Sequence, residues 1–175
     1  MATTAKTKAT KAAVRKGRTT PGSVGTDAIA LLEADHREVD AYFDAFEHAT
    51  TDAEKKSLAD KICLALKVHT QIEEELFYPA VRESTGDGDL IDEAIVEHTG
   101  AKTLIAQIEA MRPGQPLYDA KVKVLGEQVR HHVDEEESDL FPEARQTQID
   151  LEALGDKLAA RKAELMAPLA SELAS

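Results

Sequence analysis

Apolar residues recur every three or four positions along four stretches of this chain, and clusters of turn-forming residues separate the stretches. The first carries Ile29, Leu32, Val39, Tyr42 or Phe43, and Phe46; it predicts a helix from about Thr26 to about Thr50, capped by Thr26 or Ser23. The second starts near Thr51 or Asp52 and sets Leu58, Ile62, Ala65, Leu76 and Ala80 on one face. Beyond the G-D-G-D break at 86–89, the third carries Ile91, Ile95, Ile105 and Ile108. Beyond R-P-G-Q-P at 112–116, the fourth carries Val122, Leu125, Val129 and Leu140, and a shorter helix over roughly 150–172 closes the chain. The pattern predicts an all-α protein, an antiparallel up-down four-helix bundle over residues 26–147 with a C-terminal helix within 148–175.

Polar residues interrupt all four stripes at positions that repeat. His36 is followed 33 residues later by His69 and then Glu73, and His98 is followed 34 residues later by His132 and then Glu136. The offset between the copies is 62 or 63 residues, and it also pairs Glu74 with Glu137 and Pro79 with Pro142. Counted from the predicted turns, the four histidines lie at similar depths, so antiparallel helices bring them to one level. A repeat that keeps histidines and carboxylates together reads as two halves of one site.

That set has the chemistry of a dinuclear metal centre. Neutral imidazoles hold divalent first-row metals, and a carboxylate one helical turn further on can bridge two of them and offset their charge. If Glu73 and Glu136 both bridge, each metal receives two histidines and two carboxylate oxygens, which leaves room for an exogenous ligand. Burying the same groups without a cation is costly. Of the adjacent histidines, His132 shares its face with Leu125, Val129 and Glu136, whereas His131 shares its own with Val124, Gln128, Glu135 and Asp139; His132 is therefore the inward one, and His131 an outer residue beside the site. His48 reads as a surface residue near a helix end and Cys63 as a small core residue.

Composition narrows the class further. The single cysteine excludes an internal disulfide and a thiolate cluster, and no apolar stretch reaches the roughly 18 residues of a membrane span, so a cytoplasmic location is expected. Residues 1–22 carry six Lys and Arg and no acid; removing those six charges from the net −12 leaves −18 on the remainder. Residues 1–25 read as a disordered basic tail and linker. The tail is suited to a weak, salt-dependent contact with nucleic acid, to folding back on the acidic body, or to serving as a transit peptide.

The segments A-D-H-R-E-V around His36, H-T-Q-I-E-E-E-L-F-Y-P from His69, V-E-H-T-G-A-K around His98 and H-H-V-D-E-E-E-S-D-L-F-P from His131 resemble the hemerythrin-like HHE cation-binding domains. The resemblance covers about residues 24–147. It implies a non-haem diiron centre with a bridging oxo or hydroxo group, ligated by His36, His69, Glu73, His98, His132 and Glu136. It departs from the oxygen carriers at Lys102, where they have a further histidine. The repeat-equivalent of Lys102 is Asp40, and the two are expected either to pair over the site or to leave Asp40 as an extra ligand. The expected function is binding of, or reaction with, O2, NO or H2O2 in sensing or in oxidative or nitrosative stress. Catalase-like peroxide disproportionation, reversible O2 carriage and iron storage are the alternatives.

Overall fold

The computed structural model describes residues 27–86 and 88–172, so the basic tail lies outside the described residues. The first helix, α1 (Ala28–His48), starts later than the apolar pattern implies. Its cap is Asp27, whose carboxylate accepts from the Ala30 N–H at 2.9 Å, in place of Thr26 or Ser23. The second, α2 (Asp52–Ile72), starts where predicted: the Thr51 hydroxyl accepts from the Glu54 N–H, and the Glu54 carboxylate accepts from the Thr51 N–H.

The second arm does not stay a regular helix. It passes through a π-helical turn (Glu73–Phe77) into α3 (Tyr78–Thr85), which ends at Gly86 with φ 72°. After α4 (Asp89–Glu109), the fourth arm repeats the design: α5 (Tyr118–Glu135), a π-helical turn (Glu136–Leu140) and α6 (Phe141–Arg145). Both wide turns begin at the repeated glutamate and close one residue before the repeated proline, with Tyr78 N–H donating to the Glu73 carbonyl and Phe141 N–H to that of Glu136. Proline has no N–H, and its ring crowds the carbonyl four residues earlier; a five-residue turn relieves that crowding.

The extra residue rotates everything beyond it. Past Glu73 the buried positions are Phe77, Tyr78 and Val81, where straight helical spacing points to Leu76 and Ala80, which are only partly buried. On α4 the expected Ile95 is 38% exposed, and Ala94 takes the inward position.

The four arms form an antiparallel bundle with no strand among the described residues. Its apolar interior divides into two clusters. Ile29, Leu32, Phe77, Ile91 and Phe141 lead one, and Phe43, Ile62, Ile105 and Leu125 lead the other. Cys63 is buried in the second cluster, as expected, and burial pushes its thiol up to about 12. Gly126 lies in mid-helix on α5, where a Cβ would come within 3.0 Å of the Phe43 ring, so its absence lets α1 and α5 approach.

The last helix, α7 (Leu151–Glu172), lies against α1 and α2, and Leu154 and Leu158 complete the first cluster. Leu158→Ala is expected to cost about 3 kcal/mol in denaturant unfolding, because it empties a fully buried position. A loss below about 1 kcal/mol would mean that α7 contributes little to the stability of the bundle.

Candidate metal centre

Between the two apolar clusters lies a layer of buried His36, His69, Glu73, His98, His132 and Glu136, each at most 7% exposed. The histidines form two pairs. His36 Nε2 and His69 Nε2 are 3.1 Å apart, as are His98 Nε2 and His132 Nε2. Each glutamate reaches across the pairs: Glu73 Oε2 is 3.2 Å from His69 Nε2 and 3.5 Å from His98 Nε2. Glu136 Oε2 is 3.3 Å from His36 Nε2 and 3.6 Å from His132 Nε2. Such separations are the edges of a polyhedron of donors about 2.1 Å from a common ion.

The outward nitrogens of three of the rings are held by a second carboxylate, whereas His69 Nδ1 is buried with no hydrogen-bond partner and only faces one. Glu137 takes the Nδ1 proton of His36 at 2.9 Å, Glu74 that of His98 at 2.9 Å and Glu97 that of His132 at 2.8 Å. Asp35 faces His69 Nδ1 at 3.6 Å. A carboxylate only accepts, so a neutral ring that donates through Nδ1 presents a bare lone pair at Nε2. The sequence did carry a signal for these residues, because Asp35 and Glu97 obey the same 62-residue offset as the histidines that follow them.

Without an ion this layer is poorly compensated. Both oxygens of Glu73 and Oε2 of Glu136 are buried with no hydrogen-bond partner. Burial, and then the neighbouring charge of Glu136, push Glu73 well above the ordinary carboxylate range. Glu136 is equally desolvated, but His36 at 3.3 Å and the other flanking imidazoles hold it low. Burial opposes a charge on His36 too, yet Glu136 and Glu137 outweigh it and raise this histidine. Burial lowers His69, and burial together with His132 pushes His98 down to about 4. A cation bound here competes with protonation of Glu73 and His36, which their surroundings favour, so metal affinity falls on acidification.

Tyr78, which the sequence did not single out, breaks the symmetry. Its hydroxyl donates to Glu136 Oε1 at 2.9 Å and lies 3.3 Å from His98 Nε2. The repeat-equivalent residue is Phe141, which stacks on His36 with ring centroids 5.7 Å apart and offers Glu73 no donor.

The Asp40–Lys102 pair is not formed. Lys102 donates to Glu74 at 2.6 Å, and Asp40 accepts from Arg130 at 2.7 Å, with its side chain 52% exposed and outside the donor set. Arg130 on α5 instead captures Asp40 together with Asp44. His131 is on the surface, its side chain 67% exposed. His48 is exposed as well, with Nδ1 2.7 Å from the Asp44 carbonyl. Two groups of inner donors are able to hold a metal ion: His36, His69, Glu73 and Glu136, and Glu73, His98 and His132.

Residues 27–144 match the Hemerythrin HHE cation binding domain. The chain belongs to that family. Over 122 residues it is 30% identical to the uncharacterized protein Rv2633c of Mycobacterium tuberculosis, a match that covers 68% of this chain and 74% of that one. It is 32% identical over 115 residues to a protein of Nostoc sp. described as a DNA nickase; that match covers 66% of this chain but only 32% of the relative, so this chain spans about a third of its length. A crystal structure of an HHE cation-binding domain-containing protein, the Rv2633c homolog from Mycobacterium kansasii, superposes with a TM-score of 0.71 at 27% identity. That likeness covers 85% of this chain and 93% of the other. The HHE domain of this chain is therefore metal-binding in kind, and its buried His and Glu layer falls within the matched residues.

His132→Ala is expected to lower the metal content of the purified protein and His131→Ala to leave it unchanged. Elemental analysis of both variants checks this, and the opposite result would move the centre to the other face of α5.

Proposed function

We propose that the centre holds two iron ions, one between His36 and His69 and the other between His98 and His132, and that it binds or reacts with O2, NO or H2O2. The observation that carries this reading is the placement of Glu73 Oε2 and Glu136 Oε2, each between Nε2 atoms of both histidine pairs. A single-ion site has no use for two carboxylates that reach across in this way. Iron bound there supplies a Lewis acid and a one-electron redox partner for small ligands.

The remaining roles belong to the chain. Glu74, Glu97 and Glu137 fix the tautomers and orientations of His98, His132 and His36, and Asp35 faces the outward nitrogen of His69. Tyr78 holds Glu136 Oε1 and keeps a proton on its oxygen, because burial and the charges of Glu73 and Glu136 raise it well above its ordinary value. A cavity of about 220 Å³ opens onto the four histidines and is otherwise walled mainly by Val39, Leu66, Ala101, Val129 and Val133. It is smaller than the 300–1,000 Å³ or so of drug-sized pockets, which suits a ligand of two to four atoms.

Six donors shared by two ions leave coordination positions open, and Lys102 is turned away to Glu74. The centre is therefore reactive in character, in sensing or in oxidative or nitrosative stress, and not a stable carrier. Peroxide disproportionation fits the same site, since one H2O2 is oxidised to O2 while another is reduced to water and no outside reductant is needed. Metal analysis is expected to find about two irons per chain. Iron-loaded protein should consume peroxide, and reduced protein exposed to O2 should pass to the ferric state. One iron per chain, or zinc alone in protein made with ample iron, contradicts the diiron reading; repeated cycling between oxygenated and deoxygenated spectra points to a carrier.

The six cations of residues 1–22 support a weak contact with nucleic acid. Binding to duplex DNA should fall steeply between low and physiological salt and disappear when residues 1–25 are removed. Salt-independent binding, or binding unchanged by the truncation, rules the tail out.

A further inference from the structure

Outside the buried layer, a second group of donors joins two helices: Glu97 on α4 with His131 and Glu135 on α5, one ligand atom from each within 4.8 Å of the others. His131 Nε2 lies 3.3 Å from Glu135 Oε1, one helical turn along, and 3.9 Å from Glu97 Oε1. One imidazole with two carboxylates suits a divalent first-row ion.

The internal repeat shows what is special here. Glu97 and Asp35 are equivalent, and each backs an inner histidine, His132 and His69 respectively. Asp35 is neutralised from within the chain by Lys162 of α7. Among the described residues, the ion-pair partners of Glu97 are His131 and His132 alone. The repeat positions of His131 and Glu135 are Val68 and Ile72, both buried on the arm that α7 covers. One half of the molecule thus closes over its backing carboxylate with apolar residues and a lysine. The other half presents a histidine and two carboxylates to solvent.

The location also leads somewhere. Glu97 and exposed His131 line the same cavity as the four inner histidines, and Glu97 is the one acidic residue of that lining among the described residues. Glu97 and His131 thus place two donors of the outer group on the wall of a cavity that the four inner histidines share. We propose that Glu97, His131 and Glu135 form an outer cation site that holds a divalent metal ion on its way to the buried centre. The ion's destination rests on the diiron reading; the outer site rests on its own geometry.

Two measurements test this. Iron-filled protein titrated calorimetrically with Zn2+ should take up one further ion per chain, bound about tenfold or more weakly in His131→Ala and Glu135→Gln, with iron content unchanged. No Zn2+ uptake by the wild type, or equal uptake by all three proteins, overturns the site. Stopped-flow uptake of Fe2+ by chelator-stripped protein should be slowed several-fold in both variants but reach the same final iron content. Equal rates overturn the transit role. If wild-type protein never acquires an iron pair, the diiron reading is what fails, and titration of that protein with Zn2+ still decides the outer site by whether the two variants lose an ion.

Discussion

Two carboxylates buried in the middle of an apolar bundle set the terms for the rest of this structure. Three oxygens of Glu73 and Glu136 have no hydrogen-bond partner, and each such group costs on the order of 1–3 kcal/mol, more when charged. Four imidazoles aimed at the same volume add lone pairs and no proton supply of their own. The arrangement makes sense when positive charge occupies that volume. In its absence the surroundings favour protonation of Glu73 and His36, which couples metal loading to proton release.

Around this centre the fold behaves as two copies of one design, and its chemistry lies in where the copies differ. Both glutamates begin a π-helical turn, and both turns are followed by a proline. Beyond the turn one copy supplies a phenol and the other a phenyl ring. Glu136 is therefore tethered by Tyr78, while Glu73 keeps both oxygens free, so the surroundings of the two histidine pairs are not equivalent even though both have the same 3.1 Å spacing.

The outer carboxylates extend that asymmetry to the surface. Asp35 and Glu74 are each neutralised by a lysine, Lys162 and Lys102, whereas Glu97 and Glu137 are backed by no lysine or arginine ion pair among the described residues. On the α7 side the backing carboxylate Asp35 is paired with Lys162, whereas between α4 and α5 Glu97 lines a cavity shared with the inner histidines.

The sequence by itself determined the helices, the repeat and the six inner residues, because helical periodicity and a fixed offset are local properties of the chain. The choice of His132 over His131 belongs with them, since one residue changes the face by about 100°. What the sequence could not decide was everything that depends on a neighbour from another helix. Lys102 could reach Asp40 or Glu74, and only the crossing of the arms selected Glu74. Nothing in the sequence singled out Tyr78, because it is the π-helical turn before Pro79 that brings its hydroxyl to Glu136. The backing carboxylates were only partly legible: the repeat offset pairs Asp35 with Glu97 and Glu74 with Glu137, but in a chain with 33 acidic residues the folded arrangement is what sets each of them against a histidine.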